Sequence, residues 1–86
     1  MADSRKVSIP LHVIERFVRQ SPSARDIVSV DTTLHHLANR NPPLGQPEPL
    51  FRDFYVTFTE NKRWKVMFQI MPSGIDVLSI DRVNSR

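Results

Sequence analysis

The chain has 86 residues, no cysteine and a formal net charge of +3, and 40% of its residues are hydrophobic. This length supports one domain over residues 1–86 with a small core, and the lack of cysteine excludes disulfides and thiol chemistry. No apolar run reaches the roughly 20 residues of a membrane span. The start of the chain lacks the apolar core of a secretion signal, so we expect a cytoplasmic protein. The excess of basic residues favours a nucleic-acid or acidic-protein partner. The alternative is that the positive charge only keeps the protein soluble.

The first part of the chain predicts a short strand and then a helix. Residues 6–9 suit an edge strand, and Pro10 ends it because proline cannot donate to a β-ladder. Proline also suits the first turn of a helix. Over residues 11–20 the apolar side chains recur at helical spacing, which predicts a core-facing stripe made of Leu11, Ile14, Phe17 and Val18.

A second helix is predicted to run from about residue 23 to Arg40. Ser23 and Asp26 have the spacing of a capping box, with Asp in place of the usual Glu. The stripe expected to face the core consists of Ile27, Val30, Leu34 and Leu37. With only a short turn between them, the two helices would form an αα-hairpin.

Residues 41–50 contain four of the seven prolines, at positions 42, 43, 47 and 49. Proline breaks helices and is excluded from central strands. This stretch therefore predicts a semi-rigid connection between the helices and the rest of the chain, and Leu44 and Leu50 are the side chains expected to hold it against the core.

Three consecutive antiparallel strands are predicted over residues 54–59, 64–71 and 75–80. In the first strand Phe54, Val56 and Phe58 alternate with polar or hydroxyl-bearing residues, and in the second Trp64, Val66, Phe68 and Ile70 share one face. In the third strand Val77, Leu78 and Ile80 do not share a face, which indicates a strand covered on both sides or a central one. The predicted fold is α+β: a short strand, an αα-hairpin and a three-stranded antiparallel meander.

Basic residues and aromatic residues are interleaved in this meander. Half of the 12 Lys and Arg residues lie in the last 35 positions, namely Arg52, Lys62, Arg63, Lys65, Arg82 and Arg86. Lys65 shares a strand face with Gln69, opposite Trp64, and Tyr55 would join them if it lay on the outer face of the neighbouring strand. Such a surface would suit RNA, because cations bind phosphates and aromatic rings stack on bases. The alternative is a solvated face of an antiparallel sheet.

Other chemistry has little support in the sequence. His12, His35 and His36 have no carboxylate cluster beside them, so we expect surface histidines and no metal site or cofactor. The acidic residues are scattered, and the chain has no nucleophile elbow and no P-loop. Trp64 is expected to serve core or hairpin packing rather than to form a ligand platform.

The order of elements and the carboxy-terminal half resemble the RelE/ParE superfamily of toxin–antitoxin toxins. The pattern typical of that family is a Leu before an aromatic strand, a turn, an aromatic-Arg-hydrophobic-hydrophobic-aromatic strand and a last strand that ends in a basic residue. The matching segments are Pro49–Tyr55, Arg63–Ile70 and Ile75–Arg82. The resemblance covers residues 6–83 in architecture and residues 49–82 in pattern.

For the RNA-cleaving branch, the resemblance implies that Lys65, Arg82 and Arg63 act at the scissile phosphate. Lys65 stands where Arg is usual, so a point charge replaces a bidentate fork. Tyr55, Lys62, Gln69, Arg52 and Arg86 would then contribute to RNA binding. The strand predicted over residues 54–59 carries Val56, Thr57 and Phe58 where the family has basic residues.

Three functions follow from these observations. The first is a ribosome-dependent mRNA endonuclease that stabilises the transition state electrostatically. The second, implied by the ParE branch, is a non-catalytic toxin that binds DNA gyrase, and the third is a non-enzymatic α+β binding protein. For either toxin, the resemblance implies a hetero-oligomer with an antitoxin, whose acidic segment lies over the helices or the sheet.

Overall fold

A computed structural model of the protein describes residues 6–39, 46–47 and 54–83. Two helices and a five-stranded sheet form this part of the chain. The elements are, in order, β1 (Lys6–Ser8), α1 (Leu11–Arg19), α2 (Ala24–Asn39), β2 (Gln46–Pro47), β3 (Phe54–Phe58), β4 (Trp64–Met71) and β5 (Gly74–Arg82). The predicted α+β class is confirmed, including the short first strand, the two helices and the antiparallel meander.

The strands lie in the order β1-β5-β4-β3-β2. β3, β4 and β5 are antiparallel neighbours, whereas β1 runs parallel to the start of β5. β2 is an edge strand, a position that tolerates Pro47. The sequence did not predict this strand, because it falls inside the proline-rich connection. The rest of that connection, with Leu44 and Leu50, lies outside the described residues.

α1 buries a different set of side chains from the one predicted. Val13 and Phe17 are buried, whereas Leu11, Ile14 and Val18 are 70%, 42% and 61% exposed. The apolar arc of this helix extends from Val13 round to Leu11, which is wider than the strip that rests on the sheet. The prediction that Leu11, Ile14 and Val18 face the core is therefore wrong.

α2 begins with the predicted capping box. The Ser23 backbone N–H donates to Asp26 Oδ2 over 3.0 Å, and the Asp26 backbone N–H donates to Ser23 Oγ over 3.1 Å. Val30 and Leu37 are buried as predicted, but Ile27 is half exposed. The capping box thus starts the helix as the sequence indicates, while the first apolar residue of the stripe falls outside the core.

The core lies between the helices and one face of the sheet. β4 contributes Trp64, Val66 and Phe68, all fully buried. β5 contributes Ile75, Val77 and Ile80, whose spacing becomes regular once a β-bulge is taken into account. Phe68 pairs with Val77 and Met67 pairs with Ser79, so Leu78 is the extra residue. This bulge explains the mixed pattern of the third predicted strand, which is indeed a central strand.

Candidate functional site

The loop between β3 and β4 presents two cations to solvent. The Thr59 N–H donates to the Trp64 carbonyl over 3.0 Å, and this bond closes the hairpin. Inside the loop, Asn61 Oδ1 accepts hydrogen bonds from the Thr59 hydroxyl at 2.7 Å and from the Arg63 N–H at 3.0 Å. Lys62 has a φ of 60°, which ends the turn in the left-handed region. Lys62 and Arg63 are exposed as a result.

Trp64 is fully buried directly after this loop. Phe17 of α1 approaches its ring edge-on at a centroid distance of 4.9 Å. The Arg82 guanidinium also contacts the Trp64 ring, and its central carbon lies 4.6 Å from the ring centre. The prediction that Trp64 packs in the core is confirmed, and its ring joins α1, β4 and the end of β5.

Gln20 connects the end of α1 to the edge of β5. Its side-chain N–H donates to the Ile80 carbonyl over 3.0 Å, and its side-chain carbonyl accepts from the Arg82 N–H at 2.9 Å. The Arg82 guanidinium donates to the backbone carbonyl of Gln20 over 3.0 Å. β1 pairs only with the first residues of β5, so the Gln20 amide satisfies backbone groups that β1 leaves free.

Asp26 is buried beside this cluster, with 4% of its surface exposed. The hydrogen bond from the Ser23 backbone N–H is the main cause that lowers the pKa of Asp26, and the Trp64 indole, the Ser23 hydroxyl and the Arg63 charge act in the same direction against the opposing effect of burial. The indole N–H approaches the carboxylate without full hydrogen-bond geometry. Asp26 therefore stays ionised and holds the start of α2 next to Trp64.

Three exposed cations belong to the backbone segments at this end of the sheet, and we call Lys62, Arg63 and Arg82 the basic rim. Arg63 and Arg82 are brought together because Trp64 pairs with Arg82 and the Val83 N–H donates to the Arg63 carbonyl over 2.8 Å. Two of the three residues predicted to be catalytic thus lie on adjacent backbone segments.

Lys65 is the third predicted catalytic residue, and its side chain projects from the face of the sheet opposite the helices. It follows Trp64 in the strand, so its side chain points away from the helices. Its direct cross-strand neighbours are Phe58 and Asp81. Lys65 is therefore separated from Arg82 and from Tyr55, because both of those side chains are on the helix side of the sheet.

Tyr55 is not on the outer face of the sheet, which was the condition for its joining Lys65 and Gln69. It pairs with Phe68, and the two rings stack at 5.9 Å with an interplanar angle of 22°. Tyr55 therefore packs against the core and does not reach the face that carries Lys65 and Gln69. Arg52 and Arg86, the remaining residues predicted to bind RNA, lie outside the described residues.

A second surface, which the sequence reasoning missed, lies on α1. Leu11, Ile14 and Val18 follow one another at one helical turn and form an exposed apolar stripe, which we call the α1 stripe. Arg16 and Arg19 lie on the same helix. The sequence did contain a signal for this exposed surface, namely the width of the apolar arc on α1. When the apolar arc of a helix is wider than its contact with the sheet, some of its apolar side chains stay exposed.

The histidines are exposed, and among residues 6–39, 46–47 and 54–83 no group of acids, histidines or cysteines is arranged to hold a metal ion. Within the same residues, no helix combines the length and apolarity that crossing a membrane requires. Comparison with known proteins finds no matching family model, no matching curated protein and no matching solved structure.

Proposed function

We propose that the chain is the cytoplasmic toxin of a type II toxin–antitoxin pair, and that it acts by binding a macromolecular target rather than by cleaving RNA. The order of a short strand, two helices and an antiparallel meander agrees with what the RelE/ParE resemblance implies. The observation that carries the non-cleaving part is the separation of Lys65 from Arg82 on opposite sides of the sheet.

Cleavage by this kind of site requires several cations around one phosphate. Electrostatic catalysis works when the charged groups already surround the position where charge develops. Here Arg82 stacks on Trp64 and donates to Gln20, while Lys65 is opposite Asp81. Tyr55, which would add a hydroxyl, packs on Phe68. These positions favour the binding toxin over the nuclease.

The basic rim is the surface we assign to the target. Its cations are exposed and held by a closed hairpin loop and by the Trp64 contact. Clustered positive charge accelerates association with an acidic surface or a nucleic acid. DNA gyrase is the target that the ParE branch implies, and the positive rim would suit an acidic surface on that target.

The α1 stripe is the surface we assign to the antitoxin. Its exposed apolar side chains repeat at one helical turn, which suits an amphipathic segment that places apolar residues at matching spacing. Arg19 would attract acidic residues on that segment, whereas Arg16 is already paired with Asp81 at 2.9 Å. The partner is therefore a small acidic protein that forms a hetero-oligomer with this chain.

The mRNA endonuclease remains the second candidate, since Lys65 follows an aromatic residue in the middle strand of the meander, as the resemblance requires. Two assays with one preparation separate the candidates. We expect the protein to inhibit supercoiling by gyrase and to leave message ends unchanged on translating ribosomes. New message ends that depend on Lys65 would establish the nuclease, and inactivity in both assays would reject both toxin functions.

A matched pair of variants tests the antitoxin surface. The double change Leu11→Glu and Val18→Glu places acids on the α1 stripe, and Met71→Glu, at a 38% exposed position on the sheet, is the control. We expect the double variant to lose protection by the co-produced acidic partner and the control to keep it. Equal protection of both variants would remove the α1 stripe as the docking surface.

A further inference from the structure

A cavity of about 510 Å³ lies between α2 and the end of β3. Its volume falls within the range of about 300–1,000 Å³ that is common for small-molecule sites. α2 contributes one wall, and β3 with the loop that follows contributes the other. No residue of the basic rim or of the α1 stripe lines the cavity, although Glu60 belongs to the same loop as Lys62 and Arg63, and the role of the cavity does not depend on the proposed toxin function.

The cavity is unfilled because several of the side chains around it are small and carry hydroxyl groups. On α2, Ser29, Thr32 and Thr33 face it, and on β3 Thr57 lies across from them. Thr57 pairs with Val66 and so points to the helix side of the sheet. Short polar side chains do not fill the space between a helix and a strand as branched apolar ones do. The walls therefore offer hydroxyl groups around an unfilled volume.

The charge of the cavity is opposite to that of the chain. The chain has 12 Lys and Arg residues, yet none is among the described residues that line the cavity, whereas Glu60 is. A ligand with a phosphate or carboxylate would find neither Lys nor Arg among these residues, and His36 is the one side chain among them that becomes positive when protonated. A ligand with a positive charge would meet the Glu60 carboxylate and hydroxyl oxygens that accept hydrogen bonds.

The cavity also has apolar walls. Val28 of α2 and Phe58 of β3 line it, and their side chains are 64% and 47% exposed. A ligand that fits both features has an apolar body and a single ammonium group. We propose that this cavity binds small primary amines with an apolar body, with the ammonium group at Glu60 and the body against Val28 and Phe58.

The proposal is tested with a charged probe and its neutral counterpart. 2-Phenylethylamine and 2-phenylethanol are titrated separately into the whole chain while backbone amide shifts are followed by NMR. We expect saturable shifts at Thr32, Leu37 and Thr57 with the amine, and an affinity about threefold weaker for the alcohol, as befits an exposed charge pair. Added salt should reduce that preference.

Two variants locate the charge that gives the preference. Glu60→Gln keeps the shape of the side chain and should make the two probes bind equally, whereas Glu15→Gln on the exposed side of α1 should leave the preference intact. The proposal is overturned if the amine gives no saturable shift at the cavity, if wild type binds both probes equally, or if Glu60→Gln keeps the preference.

Discussion

Arg82 and Trp64 form a cation–π pair, with the guanidinium carbon 4.6 Å from the centre of the ring. The same guanidinium donates to the Gln20 carbonyl at the end of α1, where a cation also complements the helix dipole. Arg82 thus fastens α1 to the sheet, which is a structural role in addition to any contact with a target.

Replacement of Arg82 should therefore lower stability as well as function. Arg82→Ala is expected to lower the free energy of unfolding by about 1 kcal/mol, because an exposed cation–π contact and one hydrogen bond are lost. Urea denaturation followed by Trp64 fluorescence measures this change. Arg63→Ala is the control, with an expected change within about 0.5 kcal/mol. Equal stability of the two variants would contradict the role of Arg82 in holding α1.

Gln20→Glu tests whether the side-chain amide is needed at the edge of β5. The change removes the donor to the Ile80 carbonyl and brings a carboxylate towards Asp81, whose Oδ1 is 3.4 Å from the Gln20 nitrogen. We expect a loss of about 1–3 kcal/mol in the free energy of unfolding, as for a polar group left without its partner. Gln69→Glu on the outer face of the sheet is the matched control, and a similar loss there would mean that added charge alone is responsible.

Asp26 gives the protein an acid-sensitive contact. Its folded-state pKa lies below the ordinary aspartate value of 3.8, so the stability it adds is present above that pH and is lost as the pH falls towards the folded-state pKa. Asp26→Asn should be less stable than wild type at neutral pH, and the difference should shrink as the pH falls below 3.8. Thermal melts across this range measure it, with Asp31→Asn at an exposed position of α2 as the control. A difference that is constant with pH would contradict the ionised contact.

Two phenylalanines on neighbouring strands should differ sharply in their contribution to stability. Phe68 is fully buried and stacks with Tyr55, whereas Phe58 is 47% exposed. Phe68→Ala should lower the free energy of unfolding by about 3–5 kcal/mol. For a domain of this size, such a loss is enough to unfold a large fraction of the molecules. Phe58→Ala should cost much less. Denaturant titration of both variants checks this, and comparable losses would mean that the assigned sheet faces are wrong.

The elements were predictable from the sequence because the local signals were strong. The capping box at Ser23 and Asp26 and the alternation over residues 64–70 each depend on near neighbours in the chain. The β-bulge at Leu78 was visible only as a break in alternation, because the same break also suits a strand covered on both faces. Only the register with β4 distinguishes these explanations.

The arrangement of the site was harder to predict, because it depends on which face each strand presents. The sequence left open which face of the sheet carries Tyr55, and the register places it opposite Phe68 and therefore on the helix side. In the same way, the apolar arc on α1 did not reveal which part of it would be buried, since the position of the helix on the sheet decides that. Gln20 gave no signal, because its partners lie about 60 residues away along the chain.

Growth of cells that overproduce the protein tests the central claim most directly. Three forms are compared at equal protein level: wild type, Lys65→Ala, and the double variant Lys62→Ala with Arg63→Ala. We predict that wild type and Lys65→Ala arrest growth, whereas the double variant, which lacks two of the three cations of the basic rim, does not. No arrest by wild type, or arrest that Lys65→Ala alone abolishes, would contradict a toxin that acts by binding through the basic rim.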